Sequence, residues 1–175
     1  MYKKFDLKEI KVTDHFNLNE VWSSDYKEVS PKVLYNAFNH AKILEIIRKY
    51  AGNKSINVSS WIRSQEHNKK VGGATKSKHL EGTATDITHA NLSTKKLCEI
   101  VLDLINKKII PDGGLGLYLV RDSTFLHYDS NRKVPARFVD FRSSEEIKQG
   151  IDKEDAKAWI NEETRNKITP LGFWK

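Results

Sequence analysis

Between residues 33 and 47 the apolar positions Val33, Leu34, Ala37, Phe38, Ala41, Leu44, Ile46 and Ile47 recur three and four residues apart. This spacing predicts an amphipathic helix. Ser30-Pro31 marks its start, since Pro is tolerated in a first helical turn, and Gly52-Asn53 marks its stop. The stretch 5–50 as a whole reads as helical. Ser55–Ser64 instead alternates apolar and polar residues, as a strand does. Gln65 to about Thr83, rich in Gly, Ser, Thr and Lys, reads as a loop, and Ala84–His89 as a short, partly buried strand. Ser93 or Thr94 caps a second helix running to about Lys108, and Pro111-Asp112-Gly113-Gly114 forces a turn. LGLYLV and FLHYD then form two strands joined by Arg121-Asp122-Ser123. The expected fold is an α+β domain, a small antiparallel sheet flanked by helices, spanning residues 1–141.

Residues 142–175 read as a C-terminal extension of one or two capped helices and an apolar tail. Trp159, Ile160, Ile168, Leu171, Phe173 and Trp174 are too apolar for a free solvated segment, so they pack on the domain or dock a partner. No internal repeat or low-complexity linker occurs.

Composition narrows the class. Apolar residues make up 38% of the 175, with 4 Trp, 6 Tyr and 7 Phe, which suffices for a core and argues against disorder. No apolar run is long enough for a membrane span. The start, MYKKFDLKEIKVTDHF, lacks the apolar region and small-residue cleavage site of a secretory signal. The single cysteine, Cys98, cannot form an internal disulfide and is expected in the core. A net charge of +7 fits polyanionic partners, nucleic acid or an anionic cell wall. Lys and Arg are scattered, however, and no nucleic-acid recognition motif is present, so nucleic acid is not expected as a partner.

The chemistry concentrates in VSSWIRSQEHNKKVGGATKSKHLEGTATDI, residues 58–87. Within it Ser77, His79, Gly82, Ala84 and Asp86 form an S-x-H-x-x-G-x-A-x-D pattern. A neutral imidazole and a carboxylate are good zinc ligands, and a catalytic zinc takes three protein ligands and keeps one position open. Gly82 and Ala84 let the chain turn tightly, so that His79 on a loop and Asp86 on a strand can face one ion. A third ligand must come from elsewhere, and His127 sits on its own expected strand. Alternation places Phe125, His127 and Asp129 on one face of that strand. His15, His40, His67 and His89 lack such context and are read as surface or structural residues, with His89 the nearest to the motif.

These pieces resemble the zinc D-alanyl-D-alanine carboxypeptidases and L-alanyl-D-glutamate endolysins, peptidoglycan peptidases that share the fold of the hedgehog signalling domain. The S-x-H-x-x-G-x-A-x-D run carries the resemblance. So do the upstream Arg63-Ser64, Asn68 and Val71-Gly72-Gly73-Ala74, and the closing segment 113–129 with its late histidine. The resemblance covers about residues 5–141. It implies a zinc ion held by His79, Asp86 and His127, and amide hydrolysis in a peptidoglycan stem peptide by zinc-activated water. It implies that Arg63 binds a substrate carboxylate or orients the scissile carbonyl; a structural salt bridge is the alternative. Ser77 would support the loop at the substrate-binding edge rather than attack substrate. Many members carry an acidic or basic catalytic residue three positions before the last histidine, where this chain has Thr124. Another branch has an H-x-D pattern, which His127-Tyr128-Asp129 matches. Asp129 is therefore expected to be the general base or to orient a ligand, and Asp122 is a weaker candidate. A competing expectation is a module that keeps the fold and metal but is catalytically inactive, binding cell wall or building a virion. The bond cut, the oligomeric state, and a phage or bacterial source stay open. The lack of a visible signal fits an enzyme released through a holin or carried by a phage particle.

Overall fold

The computed structural model describes residues 10–21, 29–119, 124–142 and 144–149. The expected turn at 121–123, the candidate Asp122 and the apolar tail lie outside them. Residues 10–17, expected to be helical, instead form a loop closed by a bridge between Lys11 and Asn17. Thr, Asp and Asn side chains in this segment offer the backbone local alternatives to a helix. Glu45 gathers the loop by accepting hydrogen bonds from Thr13 Oγ1 (2.7 Å) and the His15 amide (2.9 Å). A single turn, α1 (Leu18–Val21), precedes α2 (Pro31–Tyr50). The latter starts as its sequence requires, with Ser30 Oγ accepting from the Val33 amide at 3.3 Å.

Next come β1 (Ile56–Ser60), α3 (Gln65–Lys70), a 3₁₀ turn (Lys78–Glu81) and β2 (Ala84–His89). Then follow α4 (Thr94–Asn106), β3 (Gly114–Leu119), β4 (Thr124–Asp129), β5 (Ala136–Asp140) and α5 (Ser144–Lys148). The expected loop 65–83 thus holds two short helical pieces, each begun by a serine cap. Ser64 Oγ accepts the His67 amide at 3.0 Å and Ser77 Oγ the His79 amide at 3.4 Å.

The strands form one sheet in the order β1-β2-β4-β3-β5, flanked by helices, and the domain is α+β as expected. Pairing is antiparallel except between β3 and β5, which are parallel. The strand β5 was not foreseen. Both edges of β4 are occupied by β2 and β3, so the chain leaving β4 turns back and adds to the outer edge of β3, running parallel to it.

Register sorts the two faces. Ile87, Leu115, Leu117, Leu126 and Tyr128 are fully buried on one face. They belong to the same core as Ala37, Ala41 and Leu44 of α2 and Leu97, Val101 and Leu104 of α4. Cys98 lies there too, its thiol pushed up to about 12 by burial. On the opposite face Asp86, His127, Gly116 and Phe138 occupy one cross-strand row, because Asp86 pairs with His127, His127 with Gly116 and Gly116 with Phe138. A one-residue slip would exchange the faces and put the polar row in the core.

Candidate metal centre

His79 stands on the 3₁₀ turn between the Ser77 cap and Gly82. Gly82 has φ +76°, and a Cβ there would strike the Val33 carbonyl of α2, so only glycine closes this turn. Trp61 fixes the histidine from below: its carbonyl accepts from His79 Nδ1 at 2.7 Å, while its own Nε1 donates to the Gly82 carbonyl at 3.1 Å. A carbonyl can only accept, so Nδ1 carries the proton and Nε2 offers its lone pair to the site.

Asp86 and His127 face each other from the neighbouring strands β2 and β4. Asp86 Oδ1 lies 2.8 Å from His127 Nδ1 and 3.3 Å from His79 Nε2, and the two imidazole nitrogens are 3.3 Å apart. On the far side of the ring, His127 Nε2 lies 3.4 Å from Asp129 Oδ2. Arg63, just beyond β1, pairs through Nη2 with Asp86 Oδ2 and donates from Nε to Ser60 Oγ at 2.7 Å. Asp129 is fully buried and holds three partners. Oδ1 accepts from the Gly114 amide (3.1 Å), and Oδ2 accepts from Arg132 Nε (2.6 Å) and faces His127. Arg63, Asp86, His127, Asp129 and Arg132 therefore run across the sheet as one chain of alternating partners.

The titration behaviour follows from these contacts. Burial would raise Asp86, but its imidazole neighbours His79 and His127 outweigh it and hold the carboxyl below its ordinary range. Burial lowers the pKa of His79 despite the opposing pull of Asp86, which keeps it neutral. Burial also opposes charge on His127, but hydrogen bonds to Asp129 and Asp86 prevail and raise its pKa. Asp129 is held below its ordinary value, burial being outweighed by the His127 and Arg132 bonds.

The donor set fits zinc. Ligand atoms about 2.0–2.2 Å from a tetrahedral ion lie roughly 3.3–3.6 Å from one another. Two of the observed separations, both 3.3 Å, match that, and the third, 2.8 Å between His127 Nδ1 and Asp86 Oδ1, is the shorter contact of a direct hydrogen bond. All three residues are buried, and they are the only such group among the described residues. Each imidazole bonds an acceptor through its outer nitrogen, the arrangement that orients metal-binding histidines. With both lone pairs turned inward beside a carboxylate, a proton or a cation is needed to relieve their repulsion.

The site opens into a cleft of about 710 Å³. Ser77 lines it, as do Arg63 and the 71–74 loop. Sequence reasoning missed Tyr118, Arg132, Phe138, Asp140, Arg142 and Ile147, which also line it. Alternation in ARFVD was the available signal for Phe138 and Asp140. Tyr118 stacks on Phe125 (4.4 Å between ring centres) and stands edge-on to Phe138, and burial raises its phenol so that it stays protonated. Thr124 begins β4 at the exposed end of the strand.

The other histidines are apart from the metal group. His15 pairs with Glu45 at the surface. His89 Nδ1 accepts the Asn91 and Leu92 amides ahead of α4, and His67 lies in α3. His40 is buried beneath the site, stacked on Tyr128, with its ring nitrogens on Ser130 Oγ (2.9 Å) and Thr85 Oγ1 (3.1 Å). Burial, aided by His79, pushes its pKa down to about 3.

No helix among the described residues is long and apolar enough to cross a membrane. No curated protein matches the chain. The profile of the family described as Peptidase M15, whose members are zinc-dependent, matches residues 4–129, a span that holds the whole buried group on β2, β4 and the 3₁₀ turn. The chain is thus a member of the M15 peptidase family.

Proposed function

We propose that this protein is a zinc peptidase that hydrolyses an amide bond in peptidoglycan stem peptides, with His79, Asp86 and His127 as metal ligands. The observation that carries the reading is the convergence of His79 Nε2, His127 Nδ1 and Asp86 Oδ1, with both imidazoles oriented from behind by Trp61 and Asp129. A zinc ion held by these three residues would supply Lewis acidity and would lower the pKa of a water to about 7. Arg63 engages Asp86 Oδ2, which leaves Oδ1 turned toward the imidazoles. Its Nη1 has no partner among the described residues, and because Arg63 lines the cleft a scissile carbonyl is the group this nitrogen suits. Ser77 supports the turn that presents His79. Tyr118 lines the cleft, and its phenol, kept protonated, is available there as a donor.

Asp129 acts here as a positioning residue rather than the general base. Its exposure is 0%, and both oxygens are already engaged by Gly114, Arg132 and His127. It holds the Nε2 proton of His127 and so keeps Nδ1 directed at the site.

The test is to digest purified peptidoglycan and identify the products by mass spectrometry, alongside measurement of bound zinc. About one zinc per chain, product release abolished by chelator and its return with zinc are expected. Bound zinc without any product would favour the inactive cell-wall-binding or virion module, and product release without metal would overturn the reading. The product masses also name the bond, whether in D-Ala-D-Ala, L-Ala-D-Glu or a cross-link, and so separate a carboxypeptidase from an endolysin-type enzyme.

A further inference from the structure

Most of the cations lining the cleft are spoken for. Lys78 closes on both oxygens of Glu81 (2.8 and 2.9 Å). Arg142 grips Asp140 through Nε and Nη2 (2.9 and 2.8 Å), and Arg63 spends Nη2 on Asp86 and Nε on Ser60, which leaves it Nη1 alone. Arg132 differs. Only its Nε is used, on Asp129 at 2.6 Å, and both terminal nitrogens lack partners among the described residues while the side chain lines the cleft at 32% exposure. Lys76 also lines it and is exposed, and no partner among the described residues fixes it.

We propose that Arg132 is the carboxylate-recognition residue of this enzyme, binding a free carboxylate on the substrate residue at or next to the scissile bond. The inference rests on the peptidase reading above and extends it. The two free nitrogens of a guanidinium held at Nε match a carboxylate bidentately, and prior fixation lowers the entropy lost on binding. Placement sets which residue is read. Asp129 Oδ2 is shared between Arg132 Nε and His127 Nε2, so the guanidinium sits one carboxylate away from a proposed metal ligand. This moves the carboxylate role from Arg63, half consumed by Asp86, to a residue beyond the family-matched span.

Two carboxylates qualify: the C-terminal group of a D-Ala-D-Ala peptide, and the free carboxylate of a D-Glu residue. Two substrate pairs distinguish them, each offered as free acid and as amide, with the zinc-loaded full chain. The wild-type protein is expected to prefer the acid in one pair by about 10- to 100-fold in kcat/KM, mostly through KM. Arg132→Gln, which keeps a donor for Asp129 without the charge, should bring that ratio to about 1, and Arg132→Lys should restore part of it. An unchanged acid-to-amide ratio in Arg132→Gln, with both substrates slowed alike, would mean that Arg132 only supports Asp129. A wild-type protein indifferent to amidation in both pairs would likewise overturn the proposal. Should neither pair be cleaved, digestion of whole peptidoglycan decides the peptidase reading, and calorimetry of the same pairs reads the proposal by binding. An acid preference lost in Arg132→Gln upholds the carboxylate site, and no preference refutes it.

Discussion

The floor and the outer wall of the cleft are built on opposite terms. In the floor, formed by the 3₁₀ turn, β2 and β4, each proposed metal ligand is buried and fixed from behind. His79 is held by Trp61, Asp86 by Arg63 and His127 by Asp129. The wall, formed by β5, Arg142 and α5, presents partly exposed groups. Phe138 lies over Gly116 and beside His127 at 5.6 Å, and Ile147 packs on Gly72. The family match ends at residue 129, so the floor lies inside it and the wall outside. Chemistry tolerates little play in ligand geometry, whereas recognition needs only a surface of suitable shape and charge. Damage to the floor should therefore abolish metal and turnover together, while damage to the wall should alter KM and leave the metal in place.

The largest effect should come from His79→Ala or Asp86→Ala. Removing one of three ligands is expected to cost at least about 10³-fold in activity and to lower bound zinc measured by mass spectrometry. A variant that kept stoichiometric zinc and full turnover would erase the distinction between floor and wall. Asp129→Asn comes next. Asp129 receives three donors, and an amide offers one acceptor oxygen and an NH₂ that must confront one of them. A 10- to 100-fold loss of zinc affinity is expected. If Asp129 were instead the general base, zinc affinity would hold and kcat alone would collapse.

Beneath the floor, His40 links the site to acid stability. Unfolded, its imidazole takes up a proton below about pH 6.5; folded, it resists until about pH 3. The folded state thus binds fewer protons in this window, so the contribution of His40 is fully present above pH 6.5 and declines as the pH falls toward 3. The decline approaches about 1.4 kcal/mol per pH unit, or tenfold in the folding equilibrium. Across pH 7 to 5 the zinc-free protein also carries a contribution of the same sign from His79 and of the opposite sign from His127, so in denaturant melts His40→Gln should remove His40's share of the slope and leave theirs. A variant with the same slope as wild type would show that His40 is not the group responsible.

How much of this was legible follows the same division. His79, Gly82 and Asp86 fall within a few residues of one another, and alternation alone puts His127 and Asp129 on one face of β4. The caps at Ser30 and Ser93 were legible because a serine before an apolar helical pattern has a local meaning. The caps at Ser64 and Ser77 went unread because the pieces they begin are too short to show a period. Trp61 escaped because it acts on His79 through its backbone carbonyl, which no side-chain pattern reveals. Alternation in ARFVD puts Phe138 on a face, but only the order and register of the sheet bring it to the site, whereas Arg132 reaches it from the loop after β4 by pairing with Asp129. Pro135 just before β5 also obscured that strand, since Pro reads as turn or edge.

The smallest effect, and the one that bears most directly on the wall, should come from Phe138→Ala. Phe138 is cross-strand neighbour to Gly116, whose missing side chain leaves room for the ring, and a Cβ on Gly116 would collide with it. The ring stands edge-on to Tyr118 at 5.7 Å and tilted to His127 at 5.6 Å, so it touches the proposed machinery without hydrogen-bonding any of it. Truncation should leave zinc content unchanged, because His127 is oriented by the hydrogen bond that its Nε2 donates to Asp129. What is lost is apolar area facing substrate, and a rise in KM of about 5- to 10-fold with kcat nearly constant is expected. Steady-state kinetics on the cleaved peptide, paired with a zinc assay, read both quantities. A fall in kcat with loss of zinc would make Phe138 part of the floor, and the boundary between chemistry and recognition would then lie outside β5 instead of at the end of β4.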